Sequence, residues 1–396
     1  MNVRLTPRAL GGCVEAPASK SFAHRYIVAA MLSDNKTRIN INAYSDDILK
    51  TLSCVDALGG EYSRAGSSVT VSPIHAFAEN ALIDCGESGT TARIMLPVCA
   101  AAAKSAVISG SGRLPERPFS EIVRVLREGG ASLSSDKLPI SVCGGLKSGD
   151  YEIEGHISSQ YITGLMFALS TLDSGSRIVL KTPLQSAAYV EMTRDVLKEF
   201  GIDIQKKSYG YDVPAGKLRT PGEVFVEGDW SNSAFWIVAS ALGNEVKVEG
   251  LNYSSVQGDR KITKLLDKDK IDVSEIPDLF PVLAVLAAGR HGDTMLYNAA
   301  RLRLKESDRI EATDCLIRSL GGKTSKGEDF LVIHGSGSLS GGTVHGFNDH
   351  RIVMSAAVAA SICSDAVEIV GAEAVNKSYP LFFEEYKKLG GEVNVI

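Results

Sequence analysis

Hydrophobic and polar positions along the chain fall into two recurring patterns. In the first, a short strand-like run leads into a polar loop, and the loop opens an apolar helix. Six segments follow it, at residues 15–31, 84–98, 154–169, 227–242, 272–288 and 345–361. In the second, an amphipathic helix ends in glycine and passes into a strand, with final glycines at Gly60, Gly130, Gly201, Gly322 and Gly391. Glycine is the usual cap there because it accepts the left-handed conformation cheaply. Their spacings are 70, 71, 121 and 69 residues, so the third interval spans two units, one of them cut short. Together the patterns predict an α/β chain of six strand–loop–helix modules, three per domain.

At 396 residues the chain suits two domains. Its 44% hydrophobic and 22% charged composition is that of a globular protein. A net charge of −5 argues against a nucleic-acid partner. It leaves open a small anionic substrate, because local Arg and Lys clusters set the field in a cleft. The seven cysteines are odd in number and never spaced as CxxC, which favours a reducing compartment and no zinc site. No apolar run approaches a membrane span, and Met1 leads straight into a strand-like segment. The expectation is a cytoplasmic protein, monomeric, with no membrane contact.

The loops carry the chemistry. Helix N-termini present unpaired N–H groups and a partial positive charge, so they attract anions. Ser, Thr and Asp there are often only caps, but several of these loops add cations. Lys20 and Ser21 open one helix, with Arg25 a turn later. A basic first turn opposes the helix dipole unless an anion is present. Gly89 lies in the Gly-rich run Gly86–Arg93, which matches neither Walker A nor GxGxxG. Arg113 and Arg117 flank a proline-stiffened turn, and Ser158, Ser159 and Gln160 give one helix start three hydrogen-bonding side chains. Further along, Asp278 heads an apolar helix, and Lys305 and Arg309 stand four apart, as on one helix face, with Glu306 beside them. His350 and Arg351 open another helix, and Lys377 lies near the C-terminus. Carboxylates among so many cations can stay ionised and act as bases.

As an ordered series, PASKSxxHR, GESGTTxR, RPF, SSQY, Ser186 with Tyr189, EGD, QGD, IPD, KESDR, NDHR and NKSYP resemble the 3-phosphoshikimate 1-carboxyvinyltransferases over nearly the whole chain. The resemblance implies a two-domain enolpyruvyl transferase fold with three βαβαββ-type repeats per domain. One domain would join 1–18 to 228–396, the other would be 19–227, and a cleft between them would close on substrate. It implies transfer of the enolpyruvyl group of phosphoenolpyruvate to the 5-hydroxyl of shikimate 3-phosphate, in aromatic amino-acid biosynthesis. Shikimate 3-phosphate would be held by Lys20, Ser21, Arg25, Ser158, Ser159, Gln160, Ser186, Asp278 and Lys305. Phosphoenolpyruvate would be held by Lys20, Gly89, Arg117, Gln160, Arg309, Arg351 and Lys377. Lys20, Asp278, Glu306, His350 and Lys377 would form the catalytic group, with Asp278 the base on the hydroxyl and Glu306 the proton carrier at C3. No metal or organic cofactor is implied. The inhibitor glyphosate would occupy the phosphoenolpyruvate site, with Gly89 setting sensitivity.

The chain departs from that pattern in one stretch. Only Arg260 to Glu275 separate the QGD and IPD motifs, so a helix–Gly–strand–strand segment is missing from one repeat of the C-terminal half. Arg301 and Ala18 also stand where many members have Asn and Gly. Two rivals remain: the sister transferase acting on UDP-N-acetylglucosamine, and a non-catalytic anion-binding protein of this fold. The first typically uses a loop cysteine, absent from Ser109 to Pro118; the second has no need of paired acids.

Overall fold

The computed structural model describes all residues from Met1 to Ile396. The chain divides into two compact units, Lys20–Asn42 with Asp46–Val226, and Met1–Ser19 with Ala43–Ser45 and Glu227–Ile396. These differ from the expected segments by one residue at each crossing and by the short Ala43–Ser45 piece.

The first unit holds helices α1 (Lys20–Met31), α2 (Asp46–Ala57), α3 (Gly89–Ala102), α4 (Ser120–Glu128), α5 (Ser159–Ser170) and α6 (Ala187–Glu199). The second holds α7 (Trp230–Ala241), α8 (Phe280–Ala288), α9 (Arg309–Ser319), α10 (His350–Ala359) and α11 (Phe382–Lys388). All six polar loops open a helix as expected: α1, α3, α5, α7, α8 and α10. These are buried almost all round, α8 burying every one of its nine residues. The glycine-ended helices are amphipathic, as the patterning requires. Thus α4 buries Ile122, Val123, Val125 and Leu126 and leaves its charges outside.

Five four-stranded sheets share one topology. In one of them, Ala81–Asp84 runs parallel to Ser105–Ser109, which pairs antiparallel with Ile140–Cys143, and that strand pairs with Ser132–Leu133. The element order strand–helix–strand–helix–hairpin is the βαβαββ repeat. One repeat is closed by the chain's first strand: Asn2–Thr6 takes the inner place between Val367–Val370 and Glu392–Val395.

The sixth sheet has only two strands, Gly11–Glu15 and Glu245–Glu249, paired in parallel. After Glu249 the chain makes a loop and a 3₁₀ helix, Gly258–Lys264, then goes directly into strand Lys270–Asp272. The missing segment therefore costs this sheet its antiparallel hairpin and leaves its parallel pair. No helix is long and apolar enough to cross a membrane.

Candidate active site

In the N-terminal unit, Lys20 is the first residue of α1, and its Nζ lies 2.7 Å from Asp47 Oδ2 in the first turn of α2. Arg25, one turn on, is fully buried and ties three helices together. Its Nε donates to Thr193 Oγ1 (2.9 Å), Nη1 to the Ser21 carbonyl (2.6 Å), and Nη2 to Thr163 Oγ1 (3.3 Å) and the Tyr189 carbonyl (2.8 Å). No carboxylate partners it, and burial pushes its pKa down to about 10. His24 beside it is buried and held neutral, first by desolvation and then by Lys20 and Arg25. From its ring a hydroxyl chain runs through Thr51 (2.6 Å) and Thr91 (2.7 Å) to Ser88, the N-cap of α3.

The starts of α3 and α5 meet through Gln160. Its Oε1 accepts from Arg93 Nη1 (2.8 Å) and its Nε2 donates to Thr90 Oγ1 (2.7 Å). Gly164 makes this contact possible, since a β-carbon there would lie 2.5 Å from the Arg93 carbonyl. Arg93 is 6% exposed, stacks against Phe119 and Tyr161, and has no carboxylate partner; its Nε makes no hydrogen bond. Two buried guanidiniums without an acid are costly unless an anion completes them. Arg93 belongs to the GESGTTxR motif, and the sequence signal for it is an arginine one turn into an otherwise apolar helix.

The remaining expected residues of this unit fall as follows. Ser158 caps α5 by accepting from the Gln160 N–H, and Ser159 begins that helix. Ser186 precedes α6 in the left-handed region at φ 56°, strained for a residue with a β-carbon. Arg113 and Arg117 flank the 3₁₀ turn Leu114–Glu116; Arg113 reaches Glu116, while Arg117 is buried against Gly89.

In the C-terminal unit the structure brings Asp278, Glu306, Arg309 and Arg351 into one cluster. Arg309, 1% exposed, meets a different carboxylate with each nitrogen: Asp278 (2.6 Å), Glu306 (2.7 Å) and Asp349 (2.9 Å). Arg351 Nη2 reaches the second Asp278 oxygen at 3.0 Å. Burial opposes ionisation of Asp278, but Arg351, Arg309 and Lys305 outweigh it and hold its pKa well below the carboxylate range. Asp349 caps α10 through the Arg351 N–H and accepts from Ser307 Oγ (2.9 Å). His350, the first residue of α10, is buried, and Lys377 Nζ donates to the Asn348 carbonyl (2.7 Å) beside it.

One expectation fails. Lys305 and Arg309 do not share a helix face. Asp308 is the N-cap of α9, so Arg309 is its first residue, and Lys305 ends the preceding 3₁₀ helix in an extended conformation. The side chain of Lys305 makes no hydrogen bond, and burial, opposed by Asp278, pushes its pKa down to about 7. Asp259 of the QGD motif, assigned no role from sequence, is also buried here. Desolvation and then Asp278 push its pKa up to about 7, and Ser231 donates to it.

The sequence model of the EPSP synthase (3-phosphoshikimate 1-carboxyvinyltransferase) family matches residues 5–268 and 262–386, the two stretches meeting inside the shortened repeat. The chain is 37% identical over 427 positions to the 3-phosphoshikimate 1-carboxyvinyltransferase of Clostridium novyi, covering 99% of this chain and 98% of that one. It is 38% identical over 418 positions to that of Clostridium kluyveri, with the same coverage. Among solved structures, EPSP synthase from Acinetobacter baumannii superposes with a TM-score of 0.83 at 25% identity over both full chains. The enolpyruvyl transferase NikO from Streptomyces tendae shares the fold, with a TM-score of 0.80 at 16% identity over 99% of this chain and 98% of that one. With the family model spanning nearly the whole chain and relatives 37–38% identical over 99% of it, the chain belongs to the EPSP synthase (3-phosphoshikimate 1-carboxyvinyltransferase) family.

Proposed function

We propose that this protein transfers the enolpyruvyl group of phosphoenolpyruvate to the 5-hydroxyl of shikimate 3-phosphate and releases phosphate, in the shikimate pathway. Beyond family membership, the observation that carries this reading is a charge imbalance. Arg25 and Arg93 are buried cations with no carboxylate, whereas Asp278 is held ionised by two arginines. The first arrangement suits anionic substrates; the second supplies a proton acceptor.

In this reading the two residue sets act on the same pair of substrates. Arg25, Ser21, Ser158, Ser159, Gln160, Ser186, Asp278 and Lys305 hold shikimate 3-phosphate. Gly89, Arg117, Gln160, Arg309, Arg351 and Lys377 serve phosphoenolpyruvate, and Lys20 touches both. The 5-hydroxyl attacks C2 as Asp278 takes its proton and Glu306 delivers one to C3, giving a tetrahedral ketal. Removal of a C3 proton and departure of phosphate, protonated by Lys20 or Lys377, then yield the enol ether. The cations act where negative charge gathers on the departing phosphate. His350 completes the catalytic group at the start of α10. The protein would work as a cytoplasmic monomer. Phosphate release that requires both substrates tests the reaction; release with UDP-N-acetylglucosamine instead would favour the sister transferase.

A further inference from the structure

Asp278 bridges two guanidiniums, one through each oxygen: Arg309 at 2.6 Å and Arg351 at 3.0 Å. That is the contact a phosphate or carboxylate of a ligand would make with the same pair. The neighbouring Asp349 is a built-in partner, fully buried, capping α10 and bonded to Ser307. Asp278 differs, since 19% of its side chain remains exposed, as does 21% of Glu306. Arg309 would keep Asp349 and Glu306 if Asp278 let go.

Resting on the reading above, we propose that Asp278 holds the place of an anionic substrate group, and that an incoming phosphate or carboxylate takes Arg309 and Arg351 from it. The released carboxylate then accepts the hydroxyl proton. Before the exchange Asp278 is a poor base, because Arg351, Arg309 and Lys305 stabilise its charge against burial and against Glu306. After it, the arginines' charge is shared with the ligand, while Glu306 and the buried Asp259 still disfavour a second negative charge. Proton affinity at Asp278 therefore rises only when substrate is bound.

Calorimetric titration of phosphoenolpyruvate alone into the wild type, Asp278→Asn and Glu311→Gln tests this without turnover. Asp278→Asn should bind about tenfold or more tightly than the wild type, because no internal carboxylate competes. Glu311→Gln, which removes a carboxylate of α9 that pairs with Lys326 rather than with Arg309, should stay within about twofold of wild type. Equal or weaker binding by Asp278→Asn, no binding by any protein, or equal tightening in Glu311→Gln overturns the exchange. Should Asp278→Asn not fold, carbon-13 NMR of aspartate-labelled wild type decides. The Asp278 titration midpoint should rise by at least about one pH unit with phosphoenolpyruvate, and an unmoved midpoint overturns the proposal. Neither outcome bears on which acceptor the enzyme uses, so the reaction itself stands or falls separately.

Discussion

Arg117 lies directly on Gly89: a β-carbon at Gly89 would fall 2.5 Å from Arg117 Nη1 and 2.9 Å from its central carbon. A methyl group at this position would thus push the Arg117 guanidinium aside, before any ligand is considered. Gly89 also begins α3, so moving Arg117 shifts a cation at a helix N-terminus.

Gly89→Ala should therefore raise the KM for phosphoenolpyruvate by about tenfold and leave that for shikimate 3-phosphate within about twofold. Glyphosate inhibition should weaken in parallel. Steady-state kinetics with each substrate varied checks this, and an unchanged glyphosate curve would refute the role given to the glycine.

Lys305 sets a pH dependence. Its folded pKa of about 7 lies below its ordinary 10.5, so the unfolded chain binds the extra proton between those values. The group costs stability below about pH 7, and the cost fades as pH rises through that window. Affinity runs the other way: shikimate 3-phosphate should bind progressively more weakly above about pH 7, as the ammonium is lost. Lys305→Arg should flatten the profile, and Arg301→Asn, which removes a nearby cation, should move its midpoint upward. Dissociation constants measured across that range decide it.

Asp349 and Glu306 should separate stability from catalysis. Asp349→Asn leaves Arg309 short of a buried carboxylate and weakens the α10 cap, at a cost of roughly 3–5 kcal/mol. Glu306 is partly exposed, so Glu306→Gln should fold nearly as well, yet lose about 10²–10⁴-fold in kcat. Denaturant melts beside turnover rates make the comparison.

The shortened repeat should be locally soft. Strand Glu245–Glu249 pairs on one side with Gly11–Glu15 and lacks the antiparallel neighbour its counterparts have. Its amides should exchange at least about tenfold faster than those of His291–Tyr297, which is paired on both sides. Hydrogen exchange read by mass spectrometry would show it, and equal protection would contradict it.

Much of this was readable from residue order. Ser88, Ser158, Asp229 and Asp349 mark helix starts because their side chains cap α3, α5, α7 and α10, while α8 begins after Leu279 without such a cap and was legible from its apolar run. The 121-residue interval located the lost hairpin. What misled was the run Lys305–Arg309, where spacing of four suggested a helix but Asp308 stops the chain and restarts it. What stayed hidden was partnership at a distance. Nothing in the sequence pairs Lys20 with Asp47, 27 residues on, or sets Asp349 against Arg309, 40 residues back. Arg93 was visible but unremarkable until the structure showed it buried without an acid.

The central claim rests on Lys20 and on the need for both substrates. Phosphate release from phosphoenolpyruvate should be measured with and without shikimate 3-phosphate, for the wild type and for Lys20→Ala. Release that needs both substrates and is lost in the variant is the expected result. A folded wild type that releases no phosphate with both present, or a Lys20→Ala variant as active as wild type, would contradict the account.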